Sequence, residues 1–151
     1  MTLYRPDQCY VGYTLFSQAM GETEYLIDMR GVVVHTWRVS HSQLGELLPN
    51  GHLLYDDYGR GVYELDWDGN PVWRWEGPEH HDFYRYGNGN TLILVRRPAV
   101  APQVCPEGEV WDDHVIEVTP RNEVVWEWRL VEYTEEHSEL GGVTFPRPRR
   151  P

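Results

Sequence analysis

A segment that occurs three times along this 151-residue chain constrains its fold more than any other feature of the sequence. The copies span 26–37, 64–75 and 117–128, align without gaps and each end in tryptophan. In each copy, two short apolar stretches flank a turn that holds Gly or Asn where a tight hairpin turn needs a positive φ. The second stretch alternates apolar and polar residues in the two later copies, as a half-buried strand does. The repeat therefore predicts a succession of β-hairpins.

A second repeated element, an Asn-Gly turn that opens an apolar strand, precedes two of these hairpins at Asn50 and at Asn88. With the hairpin that follows, it makes a unit of four strands. The final tryptophans of the copies stand 38 and then 53 residues apart, so the last unit contains 15 additional residues, which fall between its second and third strands. This spacing predicts a proline-rich surface loop around 98–108.

Repetition of a four-stranded unit of about 40 residues, with no amphipathic helix, is typical of β-propeller blades. The sequence predicts an all-β fold with about three such units, at 10–39 (a partial unit), 40–77 and 79–130. They would form a single propeller-like domain over 1–145, followed by a flexible Pro/Arg tail at 146–151. A β-sandwich built from the same hairpins is the competing interpretation.

Three blades are fewer than a closed propeller needs, because rings usually contain four or more. The unpaired sheet edges of an open ring favour pairing with another chain. We therefore expect that the chain closes by oligomerisation, is a fragment of a larger propeller, or forms a curved open stack.

The charge of the chain excludes two classes of partner. It carries 24 acidic and 13 basic residues, a net charge of −11, and every basic residue is arginine. Nucleic-acid binding depends on a clustered cationic surface, and so does binding to an anionic membrane. We therefore expect neither a nucleic acid nor an anionic lipid surface as partner.

Other features bear on location and redox state. No apolar run approaches the roughly 18–20 residues that span a bilayer, so we expect no membrane insertion. The first residues lack the pattern of a signal peptide, which predicts a cytosolic protein or a processed or excised piece of a longer one. Cys9 and Cys105 form either a disulfide or two free thiols, and so low a cysteine content favours free thiols.

Four motifs together resemble a blade of the arylsulfotransferase family, whose members are six-bladed propellers of about twice this length. The resemblance extends over 13–133 and implies sulfuryl transfer from one phenol to another through a sulfated histidine, without nucleotide, metal or other cofactor. It also implies that two copies of the chain, a homodimer, would supply six blades. The motifs are His80-His81-Asp82, 88–94, 114–118 and 124–128.

In such blades the histidine begins the innermost strand and faces the axis. The resemblance thus implies His81 as nucleophile, with His80 before it, His41 as the looser match one unit earlier, and Arg85 as a sulfate ligand. A neutral imidazole is nucleophilic near pH 7, and a guanidinium neutralises charge on the transferring group.

Plainer interpretations stay open for these residues. His80, His81 and Asp82 could instead satisfy backbone groups where a strand begins. Adjacent histidines on a strand face opposite sides, which argues against one shared metal ion. The motif Asp112-Asp113-His114 is predicted to be a solvated turn.

Two classes of function follow. The first is an enzyme whose site forms when chains associate into a ring. The second is a non-catalytic β-propeller scaffold or assembly module that self-associates or binds a partner protein.

Overall fold

Consecutive strands of the chain pair as antiparallel neighbours in three sheets. The computed structural model describes residues 3–102 and 104–132, and this part of the chain is all-β, with two short 3-10 turns at Pro6–Gln8 and Leu130–Glu132. The first sheet has three strands and the others have four, in the orders β1-β2-β3, β4-β5-β6-β7 and β8-β9-β10-β11. The predicted fold of propeller-like blades is confirmed. The strands are β1 Thr14–Ser17, β2 Gly21–Ile27, β3 Val33–Ser42, β4 Gly45–Leu47, β5 Leu53–Asp57, β6 Gly61–Leu65, β7 Pro71–Glu76, β8 Glu79–Arg85, β9 Thr91–Val100, β10 Glu109–Val118 and β11 Val124–Arg129.

The chain divides into two compact units, 1–82 and 83–151. The first two sheets lie in the first unit. The single domain predicted for 1–145 stays a prediction, and the predicted tail at 146–151 lies outside the described residues. Over 3–102 and 104–132, no helix is long and apolar enough to cross a membrane.

The last hairpin of each sheet has the same register. Each hairpin turn closes through the same pair of backbone hydrogen bonds, and a register shift falls next to the turn in all three cases. The final tryptophans therefore occupy equivalent places on the last strands of the three sheets, as the ungapped repeat predicts. Equivalent cross-strand pairs are Leu26 with His35, Glu64 with Trp73, and Glu117 with Trp126. The turn residues with positive φ are Gly31 (77°), Gly69 (83°) and Asn122 (65°).

The additional residues of the last unit lie between its second and third strands, as predicted, but only part of them forms a loop. Strands β9 and β10 have ten residues each, whereas β5 and β6 have five, so the hairpin is lengthened as well as its connection. Pro98 lies within β9, opposite Trp111. The prediction of a loop beginning at 98 was wrong because β9 stays paired with β10 as far as Val100. Apolar side chains and an ion pair between Arg96 Nε and Asp113 Oδ1, 3.5 Å apart, connect the two strands.

The prediction of a solvated turn at Asp112-Asp113-His114 was also wrong. These residues lie inside β10, and only 1% of Asp112 and 1% of His114 is exposed. The Arg129 guanidinium on β11 neutralises Asp112, with Nε and Nη2 each 3.0 Å from its Oδ2.

A hydrophobic cluster joins the first two sheets. Trp37 of β3 belongs to it, and its indole Nε1 donates to the backbone carbonyl of Asp66, in the turn between β6 and β7, at 3.0 Å. The buried members of the cluster are Leu26, Trp37, Val39, Leu53, Tyr55 and Leu65.

Both cysteines, Cys9 and Cys105, are free thiols, which confirms the favoured prediction.

Candidate functional site

Two of the predicted histidines share an unusual backbone conformation. His81, the third residue of β8, has a φ of 71°, and His41, next to last in β3, has a φ of 45°. Non-glycine residues seldom adopt positive φ, and such strain concentrates at functional sites. Both side chains are exposed. His81 lies on β8, an edge strand of its sheet, whereas His41 lies near the end of β3.

The His81 ring is held by its neighbours in a defined tautomer. Its Nδ1 lies 3.0 Å from the amide oxygen Oε1 of Gln43. An amide oxygen only accepts hydrogen bonds, so Nδ1 carries the proton and the neutral ring has its lone pair on Nε2. The ring also packs against Tyr58, at 4.8 Å between centroids, and against His80, at 4.3 Å. The arrangement leaves one imidazole nitrogen available as a nucleophile.

Gln43 was not predicted, although the sequence contains a signal for it. It lies 38 residues before His81, the same spacing that separates Trp37 from Trp75. The two side chains thus come from equivalent positions in successive repeats and meet through one hydrogen bond. In a repetitive fold, the residue one repeat length before a candidate nucleophile is a candidate neighbour of it, as Gln43 is of His81.

The other predicted residues have separate environments. His41 Nδ1 contacts the Ser40 hydroxyl at 3.1 Å, and no hydrogen bond or ring contact in the described part of the chain joins His41 to His81. Tyr58 connects the two indirectly, because its backbone N–H donates to the His41 carbonyl at 3.5 Å. Arg85 ends β8, in the unit 83–151, and its Nη1 donates to the Gly89 carbonyl at 3.4 Å.

Buried carboxylates lie in the interior of the first unit. Asp56 is fully buried, and its Oδ1 accepts the backbone N–H groups of Gln43 and Leu44 at 2.7 and 2.8 Å. The Ser42 hydroxyl donates to Glu24 Oε1 at 2.5 Å and lies 3.3 Å from Asp56 Oδ1. Over 3–102 and 104–132, no group of three or more His, Cys, Asp or Glu side chains is arranged to hold a metal ion.

Glu79, the first residue of β8, is a third buried carboxylate. Only 2% of it is exposed, and its Oε2 accepts the Gly59 N–H at 3.4 Å. Burial, followed by the nearby charge of Asp56, raises the pKa of Glu79 from 4.5 to about 7. Backbone hydrogen bonds from Gly59, His81 and Asp82 act in the opposite direction and favour the charged form.

A separate polar cluster occurs in the unit 83–151. His114 lies between two carboxylates, with Nδ1 3.8 Å from Asp112 Oδ2 and Nε2 3.4 Å from Glu127 Oε1. Arg129 balances the charge of Asp112, and the Val131 N–H donates to the other oxygen of that carboxylate at 3.3 Å. The ion pair between Arg129 and Asp112 and the hydrogen bond from Val131 tie β10 to β11 and to the turn after it.

Repeated antiparallel sheets of three and four strands, with an exposed histidine on the edge strand β8, are propeller-like blades. The family model described as Arylsulfotransferase (ASST) matches residues 6–144. The chain belongs to this family, and the resemblance predicted from the sequence is confirmed. A search of curated proteins gives no significant match.

Proposed function

We propose that this chain forms part of an arylsulfotransferase that moves a sulfuryl group from an aryl sulfate to a phenol through His81. The observation that carries the proposal is the hydrogen bond from His81 Nδ1 to Gln43, which leaves the Nε2 lone pair on an exposed ring. Membership in the family supplies the reaction class.

The reaction balances as two displacements at sulfur. In the first, the Nε2 lone pair forms an N–S bond, the S–O bond of the donor breaks, and the donor leaves as a phenolate. The ring becomes a cationic sulfated imidazole, and the proton on Nδ1 strengthens its hydrogen bond to the Gln43 oxygen. In the second, the acceptor phenol attacks sulfur and loses its proton to solvent, and breakage of the N–S bond restores the neutral ring.

Three predicted residues have supporting roles in this proposal. His80 packs on the His81 ring and limits its rotation. Arg85 is the proposed sulfate ligand, since a guanidinium suits the oxygens of a transferring sulfuryl group. His41 lies two residues before Gln43, which occupies the position equivalent to His81, and is proposed to contact the sulfate rather than attack it.

Trapping of the covalent intermediate tests the proposal directly. With an aryl sulfate and no acceptor, we expect one phenolate released per site and a mass gain of one sulfuryl group on the peptide that contains His81. Mass spectrometry of the digested protein locates the label. The His41→Asn protein, the matched control, should still carry the sulfuryl label on the peptide that contains His81. Labelling at another residue, or no labelling of the intact assembly, would contradict the assignment of His81.

We propose further that a second copy of the chain completes the ring. The first sheet has three strands in the described part, and the position it lacks is that of an innermost strand, because its β2–β3 hairpin matches β6–β7. Trp128 is equivalent in the repeat to Trp37. Trp37 is buried, whereas Trp128 is only half-buried within the single chain. A blade of the second copy would cover this face of the last sheet.

Light scattering on the purified chain tests this assembly. We expect twice the 17.8 kDa of a single chain, with the dimer and the sulfotransferase activity in the same chromatographic fractions. A monomer with full turnover would refute the shared ring. A stable assembly without turnover would favour the non-catalytic scaffold.

A further inference from the structure

One edge of β1 has no strand beside it in the described part of the chain. The first sheet runs β1-β2-β3, whereas in the second sheet β4 pairs with β5 ahead of β6 and β7. Strand β1 takes the place of β5, because Phe16 pairs with Tyr25 as Tyr55 pairs with Tyr63. Tyr25 and Tyr63 lie 38 residues apart, which is one repeat length. The position beside β1 that corresponds to β4 is therefore open.

Phe16 is exposed where its equivalent is buried. Its ring stacks on Tyr25 at 5.3 Å between centroids, as the Tyr55 ring stacks on Tyr63 at 5.6 Å. The two aromatic pairs are equivalent, yet 44% of Phe16 is exposed and only 7% of Tyr55. All five residues of β5 are buried, and none of the four residues of β1 is. Strand β1 therefore pairs and stacks as β5 does but lacks the cover that β5 has.

A segment near the end of the printed sequence repeats the residues that lead into β4. Residues 137–141 read His-Ser-Glu-Leu-Gly and residues 41–45 read His-Ser-Gln-Leu-Gly, so four of the five are identical. Strand β4 begins at Gly45, which corresponds to Gly141, and ends at Leu47, which corresponds to Val143. The segment 137–143 lies outside the described residues, and in sequence it is a further copy of 41–47.

The glycine of this motif suits a strand that packs closely against its neighbours. A Cβ at Gly45 would lie 3.0 Å from Glu24 Oε2, so a side chain at this position would crowd Glu24. Gly45 also pairs directly with Tyr55. A strand in the same register beside β1 would place Gly141 opposite Phe16. Glycine within a strand is typical of places where another chain segment approaches closely, which fits the exposed Phe16 ring.

A second copy of the chain is the source of this strand. For one chain to cover its own β1, its three sheets would have to close into a ring, and propeller rings usually contain four or more blades. We infer that residues 141–143 of a second copy pair with β1 as β4 pairs with β5, and that the two copies exchange this strand reciprocally. Backbone hydrogen bonds at the free edge would hold the added strand.

The inference rests on the second copy of the proposed function and names the segment that joins the two copies. The register of β4 on β5 fixes the register of the exchanged strand on β1. The expected pairs are Gly141 with Phe16, Gly142 with Leu15 and Val143 with Thr14.

Cysteine pairs test the register and the source of the strand in the full-length chain. Directly paired residues of antiparallel strands lie within disulfide range, and Val143 would face Thr14. In a protein with Cys9→Ser and Cys105→Ser, we expect Thr14→Cys with Val143→Cys to oxidise to a species of two chains on a non-reducing gel. Thr14→Cys with Gly142→Cys is the matched control. It should remain a single chain, because adjacent residues of a strand face opposite sides of the sheet.

Two kinds of result in this experiment would overturn the inference. A disulfide within a single chain would show that the strand does not come from a second copy. No cross-link, or equal cross-linking in the two cysteine pairs, would show that the segment does not pair with β1 in this register.

Deletion of 137–151 tests the same segment by light scattering. We expect the shortened chain to be monomeric at concentrations where deletion of 146–151 alone, the matched control, leaves the dimer intact. A dimer that survives the longer deletion would overturn this inference and leave the proposed second copy in place, whereas a monomeric full-length chain would contradict both. Neither measurement needs turnover, so both are independent of the sulfotransferase activity. If the shortened chain does not fold, the cysteine pairs decide the question.

Discussion

Replacing His81 with asparagine should lower kcat for sulfuryl transfer at least a thousandfold. A covalent catalyst that loses its attacking group retains only the contribution of binding and electrostatics. Asparagine is the informative replacement because it tolerates a positive φ better than most residues and keeps an amide N–H for Gln43. The protein should therefore remain folded and bind substrate with a similar KM. Steady-state kinetics with an aryl sulfate donor and a phenol acceptor measure the effect.

His41→Asn is the matched control for this experiment. It makes the same chemical change at a position with the same left-handed backbone, so it reproduces any cost of the substitution itself. We expect it to lower kcat less than His81→Asn does, because His41 forms no bond to sulfur in the proposed reaction. Equal losses in the two variants, or full turnover in His81→Asn, would rule out His81 as the sole nucleophile.

The fold was predictable because its information is local. Each hairpin depends on turn residues such as Gly69 and Asn122 and on a pairing register fixed by the turn, so twelve residues suffice to specify it. The length of the insertion could be counted in the same way. Its conformation could not, because a count of residues does not distinguish a longer hairpin from a longer loop.

The site was predictable only in part, for two physical reasons. A positive φ is signalled in sequence by Gly or Asn, so nothing marked His41 and His81 as left-handed. Acidic residues are ordinarily exposed, so nothing marked Asp56 and Glu79 as buried. Both features depend on contacts between residues distant in sequence. Gln43 alone could have been found, by searching one repeat length before His81.

These buried carboxylates lie beside the hydrophobic cluster that joins the first two sheets. Ser42 and Asp56 occupy the same strands, β3 and β5, as Trp37, Val39 and Tyr55. The positions of the polar groups therefore depend on how firmly the apolar side chains hold these two strands. The stability of the cluster is thus a condition for the geometry of the site.

Trp37→Ala should reduce the free energy of unfolding by about 3–5 kcal/mol, the usual cost of removing a large buried aromatic side chain. Only 1% of Trp37 is exposed, and its ring makes edge contacts with His35 and Trp67 at 4.2 and 5.3 Å between centroids. The substitution also removes the indole donor to the Asp66 carbonyl. Denaturant unfolding followed by circular dichroism measures the loss without relying on tryptophan fluorescence.

Trp126→Ala is the control for this prediction, because 48% of Trp126 is exposed and it belongs to the last sheet. Its loss should cost about 1 kcal/mol or less, as substitutions at exposed positions do. If the two variants are equally destabilised, the cluster around Trp37 is not what holds the first two sheets together. The hydrogen bond between His81 and Gln43 can be followed in the same variants, because its loss changes the tautomer that ¹⁵N NMR of the ring detects. If Trp37→Ala is the more destabilising variant and also weakens this hydrogen bond, then packing between repeats sets the position of the nucleophile.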